Sequence, residues 1–529
     1  MSNKIKCINK SQYLQILREI KERRKNDATC SIKFTDYLRK GNYSLEVVSL
    51  DLKEIGMTVN PIEGMGLKPY WGTDILTHVD FNNITFRNCN FKYINLTGSL
   101  FKDCCFINCN FNHAVWLKIK MINTSFDGCT MSEMGLAGSS LNSIKFSNCD
   151  LKYVDFYGSN LKSVDFNSSI LTGSNLLEVE IDESRSSNFI DCELTDCLLF
   201  DAKHKFNRMG GKGYEVTKPT ILIPWNFCQP GLTATKVNLA IKEVEGIPVK
   251  YNYLMDNINL LLLDQQVKNQ IRLIQKNSSF CTSIPEQILK EIRDDQLKQL
   301  ENSEIYKIYS IAVKLSSYVD AIILPGGADL EPEFYGDKKD PHTHTDSDYR
   351  RSLLEFALIQ QAIIKGIPLM GICRGSHVGN VFYGGTLKQH VEGQVSRQTY
   401  HTEEVFVGHS RGLLREVVNG KFSSISAHHQ ALDRIGDHLE EIIVYPSEKE
   451  EIPKALESDR GGSPKIFLQF HPEYFVDAEV KTGAAANVKI SKENKKIFKA
   501  FLETVKLTKK RKKMVKSIKE IVTERVMIK

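Results

Sequence analysis

From Phe81 to Ile181 every fifth residue is apolar, twenty-one positions in unbroken succession. The run begins Phe81, Phe86, Phe91, Leu96, Phe101, Phe106, Phe111, Trp116, Met121, Phe126 and continues through Met131 and Leu136 to Ile181. Only 41% of the chain is hydrophobic, so chance does not produce such a series. A period of five fits neither the 3.6 of an α-helix nor the 2 of a flat strand. It fits a solenoid in which each five-residue unit forms one side of a coil and points two side chains inward. The second inward residue is the smaller or β-branched one two places earlier: Ile84, Cys89, Ile94, Ser99, Cys104, Cys109, Ala114. After Ile181 the phase slips, then resumes at Phe189, Leu194 and Leu199.

The rhythm also accounts for much of the cysteine content. Of thirteen cysteines, seven (Cys89, Cys104, Cys109, Cys129, Cys149, Cys192, Cys197) occupy the small inward phase. The count is odd and the first residues hold no apolar signal segment, so a reduced, cytoplasmic protein is expected. The pattern resembles the pentapeptide-repeat family, whose fold is a right-handed quadrilateral β-helix with four units per coil. Some members of that family imitate DNA with an acidic surface. Residues 81–170 carry six acidic against eight basic residues, which does not suit mimicry, so a scaffold for a protein partner is the expected role. Residues 1–70 read as a small, partly helical cap, with Ser11 placed to cap a helix. Residues 71–203 are the rod, and 204–217, glycine-rich, a linker.

Beyond residue 218 short apolar runs alternate with helical stretches: "TILIPW", "ATKVNLAIKEVEG", "IPVKYNY", then "DAIILPGG", "RRSLLEFALIQQAIIKG", "IPLMGIC". Such alternation predicts an α/β domain over 218–507, with a mainly parallel sheet and helices on both faces. Residues 264–316 exceed what a crossover needs and read as a helical insertion. The formal net charge is +6, and much of the excess lies in a basic helix or tail at 508–529. Such runs are most often solvated faces; this one has the charge to meet anionic lipid or nucleic acid, although nothing else in the chain favours nucleic acid. No apolar run reaches the length of a membrane span.

In "GICRG" a cysteine stands between glycines where an apolar strand ends and a helix begins. Open α/β sheets bind ligands at the carboxyl ends of their strands. A thiol there, at a helix amino end, is favoured as thiolate. "QFHPE" places His471 and Glu473 after another strand, on one face of extended chain, so that Glu473 can orient the imidazole toward Cys373. Gly326 and Gly327 follow a third strand, where their amides, with that of Arg374, are suited to an oxyanion.

Taken in order, "LPGGADLEPEFYG", "GICRG", "GGTLKQHVEG", "SAHHQA" and "QFHPE" resemble the class I glutamine amidotransferase fold, and within it the γ-glutamyl hydrolases of peptidase family C26. The resemblance spans about residues 218–505. It implies that Cys373 is the nucleophile, that His471 and Glu473 complete the triad, and that His428, His429, Gln430, Tyr400 and His401 lie near the substrate. It implies hydrolysis of a γ-glutamyl amide, the substrate being a small γ-glutamyl compound or a glutamylated peptide or protein. Where that family often carries Gln after Cys-Arg-Gly-x, this chain has His377, shorter in reach and able to carry charge near neutral pH. No synthase accompanies the domain in this chain, which favours hydrolysis over ammonia transfer. The alternative is an effector-type protein whose rod docks a macromolecule, the hydrolase acting on that partner or being vestigial. His342 and His344 in "PHTHTD" have no third ligand in view, so neither metal nor cofactor is expected.

Overall fold

The five-residue rhythm sets parallel strands one above another at twenty-residue intervals. Phe101 is in register with Phe81 and Met121, and Phe106 with Phe86 and Phe126. Register partners therefore lie four five-residue units apart. The computed structural model describes residues 5–7, 32–33, 44–48, 79–92, 94–181, 189–199, 216–225, 232–277, 283–293, 303–346, 348–391, 401–407, 412–417, 421–446, 451–477, 479–482, 486–489 and 492–527. The chain divides into two compact units that meet at Thr217 and Lys218.

In the first unit the large inward residues stack in columns. Phe86, Phe106, Phe126, Phe146, Phe166 and Phe189 form one, with ring centroids 4.8–5.1 Å apart. The last step spans 23 residues (189 less 166), and the bridges Ile170–Glu193 and Asn175–Leu198 carry the same offset. The phase slip after Ile181 is thus three added residues, after which the column resumes.

The smaller inward residue also satisfies the backbone. The Sγ atoms of Cys109, Cys129 and Cys149 donate to the carbonyls of Phe86, Phe106 and Phe126 at 3.4–3.6 Å. Ser159 and Ser169 do the same for Leu136 and Phe146. A carbonyl buried without a donor costs about 1–3 kcal/mol, so a small side chain with a hydrogen to give suits this position. The seven repeat-phase cysteines are free thiols. At the corners, residues such as Asn83, Asn88, Asn108 and Asn148 take φ near +50°, which Asn tolerates better than most residues.

Within the segment expected to be a small, partly helical cap, the described residues are strand. Ile5–Cys7 pairs with Ser44–Val48, which pairs with Ile84–Arg87, all in parallel. The helix expected from Ser11 and most of the 204–217 segment lie outside the described residues.

The second unit contains β1 (Thr220–Trp225), α1 (Leu232–Glu243), β2 (Ile247–Asn252), α2 (Leu260–Asn277), α3 (Ile284–Arg293), α4 (Glu304–Leu315) and β3 (Ala321–Leu324). It continues with α5 (Arg350–Lys365), β4 (Leu369–Ile372), α6 (Arg374–Phe382), β5 (His401–Val407) and β6 (Lys421–Ser426). The last elements used below are β7 (Glu440–Pro446), β8 (Glu451–Ser458), β9 (Lys465–Leu468) and α7 (Lys492–Met527). Nine strands form one sheet in the order β2-β1-β3-β4-β9-β8-β7-β5-β6.

The first five of these strands are parallel, as the alternation predicts. The other four are antiparallel, which the sequence reading did not anticipate. Within β5–β8 the described residues include only one helix, Leu413–Val417, too short to return the chain in the same direction. Helices α2, α3 and α4 occupy the stretch read as a helical insertion.

Candidate active site

Three neighbouring parallel strands bring the sequence motifs together. β3, β4 and β9 lie side by side, with Leu324 opposite Gly371 and Ile372 opposite Leu468. Each strand is buried along its whole length. Their carboxyl ends lead into Gly326-Gly327, Cys373 and His471 respectively. Adjacency of these loops is therefore a consequence of strand order.

Cys373 occupies a backbone conformation of φ 52° and ψ −107°, between β4 and α6. Its amide donates to the Leu468 carbonyl at 2.6 Å, tying the elbow to β9. Such a conformation costs about 1–3 kcal/mol for a non-glycine residue and is held only by surrounding packing. The packing is close on both sides. A Cβ at Gly371 would meet the Gly375 carbonyl, and one at Gly375 would meet the Leu324 carbonyl. Arg374 opens α6, so its amide is among those that helix geometry leaves without an intrahelical acceptor.

His471 is fully enclosed, its Nδ1 at 2.8 Å from Oε1 of Glu473, which is itself buried. Burial alone would lower the basicity of the ring. The Glu473 carboxylate and the Cys373 sulfur outweigh it and hold the imidazole protonated up to about pH 10. A Cβ at Gly326 would stand 3.3 Å from Cε1 of the same ring, so the glycine loop, the imidazole and the thiol converge.

Behind them lies a buried charge network that the sequence reading did not find. The Arg351 Nη2 donates to the carbonyls of Pro325 and Gly326, both at 3.0 Å, and its Nε to Glu355 Oε1 at 2.9 Å. The other Glu355 oxygen pairs with the Arg374 guanidinium, whose Nη2 donates to Ser352 Oγ at 2.7 Å. Ser352 in turn donates to Glu331 at 2.6 Å. Burial pushes the Glu331 carboxyl up to about 7, against the opposing pull of Arg374 and Ser352. One carboxylate, Glu355, thus joins the arginine that clamps the glycine loop to the arginine that begins the elbow helix. The available signal was Arg351 and Glu355 one turn apart on a helix otherwise buried at nearly every position.

The remaining predicted residues divide. His377 on α6 is buried, with Nε2 2.8 Å from Gln469 Oε1. Burial lowers its pKa to about 4, so the charge near neutral pH that an exposed imidazole would carry is not present. With Nε2–H donating to Gln469, the Nδ1 lone pair remains as an acceptor. His428 has both nitrogens engaged, Nδ1 with the Gln430 carbonyl at 2.7 Å and Nε2 with the buried Lys454 ammonium at 2.9 Å. His429 pairs through Nε2 with Asp329 at 3.1 Å, three residues beyond Gly326. Gln430 is buried, and neither end of its amide has a hydrogen-bond partner among the described residues. His401 opens β5 opposite Ser426, and Tyr400 lies outside the described residues. His342 bonds Asp340 at 2.9 Å and stacks on His390. Among the described residues no cluster of three or more His, Cys, Asp or Glu is arranged to hold a metal ion.

A cysteine at a strand–helix elbow, beside a histidine braced by a carboxylate and a glycine loop, is the arrangement of an α/β protein with a nucleophile elbow. Residues 306–473 match the peptidase C26 family, and residues 75–103 and 99–176 match pentapeptide repeats. Over 170 residues the chain is 34% identical to a "putative glutamine amidotransferase" of Mycobacterium tuberculosis, covering 30% of this chain and 51% of that protein. It is 30% identical over 171 residues to protein NtpR of Enterococcus hirae, covering 30% of this chain and 70% of the relative. A shorter match, 38% over 79 residues, is to a γ-glutamyl-γ-aminobutyrate hydrolase of Escherichia coli O157:H7, of which it covers 30%. The chain spans only about half of the length of the Mycobacterium relative. The chain belongs to the peptidase C26, glutamine amidotransferase-like family, joined to a pentapeptide-repeat region.

Proposed function

We propose that the second unit hydrolyses a γ-glutamyl amide through a thioester on Cys373. The observation that carries this reading is the buried His471–Glu473 pair, converging on the thiol and on Gly326. The imidazole's high basicity favours a thiolate–imidazolium pair at rest. The thiolate attacks the amide carbon, and the resulting oxyanion is held by the amides of Gly327 and Arg374. His471 gives its proton to the leaving amine as the C–N bond breaks. A water then loses its proton to His471, attacks the thioester, and releases glutamate with the thiol restored.

The glutamyl end meets polar groups that protein folding leaves unpaired. The Gln430 amide and the His377 Nδ1 are buried without partners among the described residues, and a substrate ammonium or carboxylate would satisfy them. The rod is read as a right-handed quadrilateral β-helix that scaffolds a partner, a reading supported by the twenty-residue register. A turnover screen over γ-glutamyl amines, folate polyglutamates and glutamylated peptides tests the activity. Glutamate release from none of them would defeat the proposal.

Two substitutions test the parts. Glu473→Gln removes the charge that holds the imidazolium while burial, which opposes it, remains. The alkaline limb of kcat/KM should therefore move to lower pH by about 1–3 units, with a rate loss of about 10²-fold or more. An unmoved limb would remove Glu473 from the mechanism. His377→Gln replaces a neutral, buried ring with an amide that can both donate and accept. KM for γ-glutamyl substrates should fall by up to about tenfold, the worth of one hydrogen bond, with kcat nearly unchanged. An unaltered KM would place His377 outside the substrate site.

A further inference from the structure

From Leu507 onward α7 carries a surface that the proposed hydrolase chemistry does not use. Ile497, Phe498, Phe501, Leu502 and Val505 anchor the start of the helix in the core. Beyond them Leu507, Met514 and Val515 are 67%, 58% and 47% exposed, and the helix continues to Met527. The 3.6-residue repeat brings Leu507, Met514 and Val515 to one side of the helix. It places Lys506, Lys509, Lys512 and Lys513 in an arc on the other, while Lys510 flanks the apolar side and Arg511, within it, donates to the Gly462 carbonyl at 2.8 Å. Residues 506–519 hold eight Lys or Arg and no acidic residue, a local charge of +8 against +6 for the whole chain. Some of that charge is met within the fold, since Lys509 reaches Asp320 at 2.8 Å and Lys506 reaches Glu503 at 2.7 Å.

We propose that this segment of α7 lies along an anionic phospholipid surface. Its apolar side would enter the boundary between headgroups and acyl chains, with its lysines on the lipid phosphates. The apolar row and the basic arc must be satisfied together, and that selects among partners. Nucleic acid would take the charge but leave Leu507, Met514 and Val515 in water. A second copy of the helix would bury the apolar row but bring two strongly positive segments together. An anionic bilayer meets both demands at once. No helix among the described residues is long and apolar enough to cross a membrane, so the contact is one of lying on the surface.

The test is flotation of the full chain with phosphatidylcholine vesicles, with and without phosphatidylglycerol. Binding should require the anionic lipid. It should weaken by about tenfold or more in K510E/K513E, two exposed positions, from a worth of about fivefold per basic residue near such a surface. M514D/V515D should weaken it similarly, because the exposed apolar side is lost while the charge is nearly kept. Thermal melting of each variant should match the parent, as these positions lie outside the core. Three results would overturn the proposal. One is equal or absent binding to both vesicles. Another is binding insensitive to M514D/V515D, which together with retention of duplex DNA or RNA would indicate a charge-only contact. The third is dimerisation in sedimentation that M514D abolishes, which would make a second copy the occupant.

Discussion

Cys373→Ala should reduce glutamate release from γ-glutamyl amides by about 10⁴-fold or more, because the remaining groups cannot form the thioester. Covalent labelling by a glutamine-derived electrophile such as acivicin should vanish with it. The fold should remain, since besides the His471 imidazole the thiol has a long contact, 4.0 Å, to the Ala427 carbonyl. Cys373→Gly separates chemistry from architecture. The residue sits at φ 52°, ψ −107°, which glycine adopts at far less cost. The glycine variant should be as inactive as the alanine variant, yet more stable by about 1 kcal/mol or more, seen as a higher Tm. Turnover retained in Cys373→Ala would end the cysteine mechanism. Equal melting of the glycine and alanine variants would show that the elbow stores no strain.

Glu355→Gln should be the most damaging change outside the reacting groups. Glu355 is wholly buried between Arg351 and Arg374, each also almost without solvent contact. Removing one carboxylate leaves two buried guanidiniums facing each other, and breaking a buried pair this way costs about 3–5 kcal/mol. The loss should be greatest where the network holds backbone. Arg351 orients the Pro325 and Gly326 carbonyls, and Arg374 supplies the first amide of α6. If those amides are the oxyanion donors, kcat should fall by about 10²–10³-fold with KM little changed. Glu355→Asp, which restores the charge at shorter reach, should recover part of both. A Glu355→Gln protein with unaltered melting and kcat would show that the network is an incidental packing of charge.

Much of the architecture was legible because its signals are local. The pentapeptide repeat announces itself through a five-residue period, since each unit repeats the same buried pair. Even the phase slip after Ile181 is visible in sequence, and the structure resolves it as three residues inserted into a continuous Phe column. Alternating apolar runs and helices likewise indicate the five parallel strands. The segments after Cys373 gave no comparable signal for an antiparallel wing, because strand direction depends on how chain connections pack.

The candidate site was legible in the same uneven way. Cys373, His471 with Glu473, and Gly326-Gly327 stand at strand ends in motifs that can be read one at a time, and β3, β4 and β9 place them side by side. The charge state of His377 was not readable. An imidazole titrates near neutrality in water, and only burial, against the opposing pull of the Gln469 hydrogen bond, makes it neutral here. His428 offered the same residue type as His429, but the fold engages both of its nitrogens and sets His429 against Asp329.

The sequence by itself determined the repeat, the strand–helix order and the positions at which reactive groups could stand, because periodicity and turn chemistry act between near neighbours. Tertiary structure alone decided which buried charges meet, from Glu355 with Arg374 to Lys454 with His428. Those pairs join separate elements, 19 and 26 residues apart in the chain, and their free energies depend on burial that no short stretch of residues encodes.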